Sequence, residues 1–165
     1  MTRIYLSATV PLLRELSETS KLPVSRAHAV TPGLREWYIE GELEDLEYAA
    51  FTRAAQDALW LLADDPSAPP RRVVVSVDLP DDQFSVPVGE LGDSRVTVAA
   101  AVPLRAVAAI HVDGPEAATD VTTARGLVTA ASAGDADAEF IVESVEDREL
   151  EWYDPSELAR LLETL

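Results

Sequence analysis

Three observations predict an α/β fold: strands separated by helices along most of the chain, an all-apolar run at Val73-Val74-Val75, and an alanine-striped helix of more than twenty residues. The expected architecture is a single domain spanning 1–165, with a mixed, partly parallel central sheet of about five to six strands flanked by helices. A two-layer α+β sandwich is the alternative. A chain of 165 residues suits one domain and buries a sizeable core.

Ile4-Tyr5-Leu6 reads as a first strand. Thr9 is a hydroxyl N-cap, Pro11 is tolerated in the first turn, and Leu12, Leu13 and Leu16 recur at helical spacing. Val24–Val30 alternates large and small residues with a period of two, which predicts a strand. Thr31-Pro32 then starts a short helix, and Gly41 stops it. Leu43, Leu46, Ala50, Ala54, Ala58 and Leu61 form the stripe of a helix over 42–63.

After the loop 64–70, Val73–Leu79 reads as a central strand, apolar on both faces at Val73–Val75. Val86–Val88 and Val96–Ala100 are expected to form a hairpin near Gly89 and Gly92. Pro103 opens a helical turn leading to strand Ile110–Val112, which Asp113-Gly114 ends. Helices follow over 115–131, weakened by Thr122, Thr123 and Gly126, and over 137–144, with Asp135 or Asp137 as a cap. Leu150–Tyr153 is the last strand. Asp154-Pro155-Ser156-Glu157 has the spacing of a capping box before the closing helix.

Composition removes several chemistries. With no cysteine, thiol nucleophiles, zinc–thiolate sites, Fe–S clusters and disulfides are excluded. No apolar run approaches the roughly 18 residues of a membrane span, and the first residues lack a signal-peptide pattern. The cytoplasm is the expected location. Thirty acidic residues against 13 basic ones leave a net charge of −17. Between Asp113 and Leu165 there are 14 acids against three arginines. Such a surface repels phosphates and anionic lipid, so neither nucleic acid nor membrane is an expected partner. Gly-rich phosphate loops and Gly-x-Ser-x-Gly elbows are absent.

Two groups of candidate binding residues remain. Arg35, Trp37 and Tyr38 follow the Thr31-Pro32 helix start. Free N–H groups there, with a guanidinium and flat rings, suit a small anion, an aromatic ligand or a protein partner. Core packing of Trp37 and Tyr38 is the plainer expectation. His28, His111 and Asp113 form the second group. In a mainly parallel sheet they share the carboxyl-terminal rim with Asp78, Asp81 and Asp82, where two imidazoles and a carboxylate suit a divalent ion. That holds only if the strand order brings the histidines together, and otherwise they are half-buried strand residues. No catalytic residue, resident metal or cofactor is assigned.

Thr31-Pro32-x-Leu34-Arg35-Glu36-Trp37-Tyr38 and Leu46-Glu47-Tyr48-Ala49-Ala50 resemble the signature of an actinobacterial domain family of unknown function. So do Pro103-Leu104, Val107–Asp113 and Glu151-Trp152-Tyr153. The resemblance covers nearly the whole chain and implies one domain, a bacterial cytoplasmic home and no carried-over catalytic or binding residue. The function expected from the sequence is therefore non-enzymatic, through a protein partner or homo-oligomer. A metal-assisted hydrolase or metabolite-binding domain at the strand-end rim is the alternative.

Overall fold

The computed structural model describes residues 1–165. Strand β1 (Thr2–Ala8) leads into helix α1 (Val10–Thr19), capped by Thr9, whose hydroxyl accepts from the Leu12 N–H. Two short strands follow, β2 (Lys21–Leu22) and β3 (Arg26–Ala29), then helices α2 (Pro32–Trp37) and α3 (Leu43–Asp64). Strands β4 (Val73–Leu79), β5 (Phe84–Ser85), β6 (Arg95–Val98), β7 (Val102–Pro103) and β8 (Val107–Asp113) make up the middle of the chain. Helices α4 (Ala118–Arg125), α5 (Val128–Ser132) and α6 (Ala136–Ser144) precede β9 (Leu150–Tyr153) and α7 (Leu158–Glu163).

The sheet has seven strands in the order β5-β6-β3-β1-β4-β8-β9, and β2 pairs with β7 in a separate ribbon. Every pairing is antiparallel. The expectation of a partly parallel sheet of five to six strands is corrected here, for a specific reason. β3 and β4 are joined through α3 and do run parallel, as a β–helix–β pattern requires. β1, however, lies between them and pairs antiparallel with both. The crossover is present, and no two parallel strands touch.

Both faces of the sheet are covered, so the two-layer alternative is also replaced. On one face Ile4, Leu6, Val73, Val75, Ile110 and Val112 pack with Leu13 and Leu16 of α1, the β2–β7 ribbon and Leu158, Leu161 and Leu162 of α7. On the other, Tyr5 and Val74 pack with Leu34, Leu46, Ala50 and Ala54. Helices α4 to α6 lie against the flank of α3, where Leu59 and Leu62 meet Val121, Ala124, Val128 and Val145.

Several boundaries differ from expectation. Leu43 is exposed, and the buried stripe of α3 runs instead through Leu46, Ala50, Ala54, Ala58 and Leu62. Residues 86–94 are a loop rather than half of a hairpin, because β6 pairs with Phe84-Ser85 and β3. The single helix over 115–131 is two, α4 and α5, parted at Gly126-Leu127. The Asp154–Glu157 capping box forms as its spacing predicts.

At the end of the β4–β8 pair lies a buried ion pair. Arg72 donates through Nε and Nη2 to both Asp113 oxygens at 2.8 Å, and its backbone N–H donates to the same carboxylate. Removing one partner of a fully buried pair leaves an uncompensated charge, at a cost of about 3–5 kcal/mol. Urea denaturation of Arg72→Met is expected to show a loss of that size. The double variant R72M/D113L should recover most of it.

Candidate functional site

Two surfaces converge on the loop 86–94. The first is the corner formed by α2 and the start of α3. Thr31 Oγ1 accepts from the Leu34 N–H at 3.1 Å, and Leu34 is fully buried, which anchors α2. The residues that follow face out: Trp37, the last of α2, is 57% exposed and Tyr38 39%, with Ile39, Leu43 and Leu91 also exposed. Core packing of Trp37 and Tyr38 is therefore not what the fold does with them. Gly92 makes the contact between loop and helix. Its φ of +87° is open to glycine, and a Cβ there would lie 3.3 Å from the Trp37 ring. Gly92 N–H donates to the Gly33 carbonyl at 2.9 Å. The exposed acids Glu36, Glu40, Glu42, Glu44 and Glu90 alternate with these apolar residues along the same segments. Arg35 is exposed and pairs with no acid. The first turn of α2 faces the Glu90 and Asp93 carbonyls, 3.2 and 3.7 Å from a Cβ at Gly33, and these oxygens repel an anion.

The second surface is a cleft of about 720 Å³ between α3 and the outer strands β3 and β6. Asp57, Trp60, Leu61 and Asp64, at i, i+3, i+4 and i+7, form its helical wall. Arg26 and His28 of β3, with Arg95 and Thr97 of β6, form its floor. His28 is buried and bonded at both nitrogens: Nε2 lies 2.6 Å from Asp57 Oδ2 and Nδ1 lies 2.7 Å from Ser94 Oγ. A carboxylate only accepts, so Nε2 carries the hydrogen. Arg53 donates to Ser94 Oγ at 3.1 Å and to the Gly92 carbonyl. The Ser94 hydroxyl hydrogen is then free to point at Nδ1.

A serine, a histidine and an aspartate in line invite comparison with acyl-transfer triads, but the order of exposure is reversed. Ser94 is 1% exposed and Asp57 is the outward end, with 53% of its side chain accessible. The chain of bonds presents a carboxylate to the cleft and keeps the hydroxyl away from any substrate. Beside it, Asp93 and Arg95 satisfy each other. The Arg95 hydrogen bonds hold the Asp93 carboxyl at about 2, well below the usual carboxylate range.

Residues 2–162 match a family described as "Family of unknown function (DUF6912)". The chain belongs to that family. No curated protein and no solved structure matches it.

The remaining candidates of this DUF6912 chain stand apart from the cleft. His28 and His111 are on the same face of the sheet, yet β1 and β4 lie between their strands. At roughly 4.8 Å per strand they are about 14 Å apart. In an antiparallel sheet the strand ends share no rim either. No cluster of three His, Asp or Glu ligands exists, so the divalent-ion arrangement does not assemble. Asp113 is the buried partner of Arg72. Asp81 accepts from Thr2, and Asp78 pairs with Arg3.

His111 Nε2 meets Ser76 Oγ at 2.9 Å, and Phe51 packs edge-on at 4.8 Å between ring centroids. Asp57, Ser94 and Arg53 carry no sequence signal. Asp57 and Ser94 lie 29 and 66 residues from His28. Locally, Asp57 and Arg53 read as the solvated side of a helix, and Ser94 reads as a loop residue.

Burial, and secondarily the nearby Arg3 charge, lower the His111 pKa from 6.5 to about 4. The unfolded chain therefore binds this proton more readily between pH 6.5 and 4. Stability from neutral His111 is fully present above pH 6.5 and is lost as pH falls toward 4. The expected loss is at most about 3 kcal/mol. Denaturation between pH 7 and 4 should show a steeper fall for the wild type than for His111→Gln. The His111 ring signals in NMR should titrate near pH 4.

Proposed function

We propose that this DUF6912 protein acts through a protein partner that docks on the corner of α2 and α3. The observation that carries this reading is the exposed cluster Trp37, Tyr38, Ile39, Leu43 and Leu91. Exposed aromatic and aliphatic groups gathered in one place, rather than scattered singly, are the usual anchors of a protein interface. The cluster's rigidity supports the reading too, since Leu34 and Gly92 hold Trp37 in place before any partner arrives.

Charge narrows the partner. Five exposed glutamates share the segments of the apolar residues, and the whole chain carries −17. A second copy would bring the same acids against these, which makes self-association the weaker form of the reading. A partner presenting an apolar anchor within a basic surface is the complementary match. The same charge argues against nucleic acid and membrane surfaces, and no helix is long and apolar enough to cross a membrane. A cytoplasmic, actinobacterial home fits the absence of cysteine and the use of twelve arginines beside one lysine.

The test is quantitative capture from host lysate with three baits: the wild type, the corner variant W37A/I39A, and Phe140→Ala as a distant exposed control. One basic protein retained by wild type and control, and lost at least tenfold from the corner variant, is the expected result. Purified, it should bind the wild type directly, more weakly as salt rises. Equal capture by all three baits would remove the corner from consideration. A dimer in light scattering that W37A/I39A dissolves would transfer the surface to a second copy.

A further inference from the structure

The cleft between α3 and the outer strands is independent of the corner and has a chemistry of its own. Its volume, about 720 Å³, lies within the range that holds small ligands. Most of the polar groups in and beneath it already have partners. His28 is bonded at both nitrogens, Ser94 holds Arg53 and His28, and Arg95 is tied to Asp93. Three groups of lasting polarity remain unspent. Arg26 and Asp64 line the cleft with exposed side chains that make no hydrogen bond or ion pair within the protein, and Asp57 uses only Oδ2, leaving its second oxygen free.

These groups are arranged by sign. The register of the sheet shows how. Tyr5 bonds Glu47 and Ser7 bonds the Ala54 carbonyl, so α3 runs in the direction of β1. β3 runs the opposite way, so moving from Asp57 toward Asp64 on the helix corresponds to moving from His28 back to Arg26 on the strand. Free carboxylates therefore stand on the helical wall and a free guanidinium on the floor opposite Trp60, Leu61 and Asp64. Trp60 and Leu61, with Val24 across the cleft, supply the apolar surface. The Trp60 indole lies on the helix between the two acids, where a cation is drawn to its face as well as to the carboxylates.

We propose that this cleft binds a small zwitterion of the amino-acid type, with its ammonium on one carboxylate of the helical wall, Asp57 or Asp64, and its carboxylate on Arg26. A simple anion is disfavoured by both acids and by the net charge of −17. A simple cation makes no use of the exposed Arg26 guanidinium on the opposite side of the cleft. A ligand carrying both charges pairs with Arg26 and with one of the two carboxylates, which stand about two helical turns apart. His28 has a positioning role: its Nε2–H fixes Asp57 before the ligand enters, and the buried Ser94 and Arg53 fix His28 in turn.

The experiment is calorimetric titration of the full chain with each of the twenty standard amino acids. The tightest is then compared with its N-acetyl derivative, which lacks the ammonium, and its amide, which lacks the carboxylate. Saturable binding of at least one free amino acid is expected, with each derivative weaker by about tenfold or more, as the loss of a charge-assisted contact implies. Arg26→Ala should bind the free acid and its amide alike. Of Asp57→Asn and Asp64→Asn, the one that removes the ammonium's carboxylate should bind the free acid and its N-acetyl form alike; Asp57 also holds His28, and Asp64 bonds nothing else. W37A/I39A should bind as the wild type does, which separates this site from the corner. The proposal is overturned if none of the twenty saturates, if both derivatives bind as well as the free acid, or if neither aspartate variant weakens binding.

Discussion

The close seating of α3 on the sheet organises everything else. Ala50, Ala54 and Ala58 are fully buried and present only methyl groups, so the helix approaches the strands near enough for polar bonds to form between the layers. Ser7 reaches the Ala54 carbonyl at 2.5 Å, Tyr5 reaches Glu47, and His28 reaches Asp57. Larger residues in that stripe would push the helix outward, and the sheet's polar side chains would be buried without partners. As it stands, no buried side-chain nitrogen or oxygen lacks a partner. The cost of burying hydroxyls and an imidazole beneath a helix is thus offset bond by bond.

This seating also determines where the protein is open. α3 lies over β1, β3 and β4 along its alanine stripe, and the cleft opens where its outward side, Trp60 to Asp64, stands over the outer strands β3 and β6. At its other end α3 meets α2 at an abrupt bend after Trp37, where Gly41 sits against Tyr38 and Leu46. The aromatic residues of the bend have no layer above them. Apolar exposure at the corner and charged concavity at the cleft are two outcomes of one packing arrangement. Each lies where the alanine contact ends.

How much of this is legible in the sequence follows from the range of the interactions. Thr9, Thr31, Asp135 and the Asp154–Glu157 box act within three residues of themselves, and each caps a helix as its spacing predicts. The apolar Val73–Val75 run announces a strand buried on both sides, which β4 is. Strand order is not legible, because β1 inserts between β3 and β4 through hydrogen bonds that carry no side-chain signature. The two-residue strands β2 and β7 are too short to show a period. Arg72 and Asp113, 41 residues apart, read separately as a loop cation and a turn acid. Arg35, Trp37 and Tyr38 stand out in the sequence because a short helix start is a local pattern. His28 stands out only as a partner for His111, whereas its partners in the fold are Asp57 and Ser94.

The corner and the cleft are joined by the last three residues of loop 86–94, and the manner of joining differs on the two sides. Toward the corner the loop is held by backbone and shape: Gly92 donates to Gly33 and accommodates the Trp37 ring. Toward the cleft it is held by side chains, with Ser94 on His28 and Asp93 on Arg95. Arg53 spans both, donating to the Gly92 carbonyl and to Ser94. Straining the Trp37 contact and straining the His28 contact therefore act on the same guanidinium. Arg53 is fixed by α3, which does not move without breaking the alanine seating. Residues 92–94 are thus a fixed strut between two surfaces. Whatever occupies either surface meets a wall already in position.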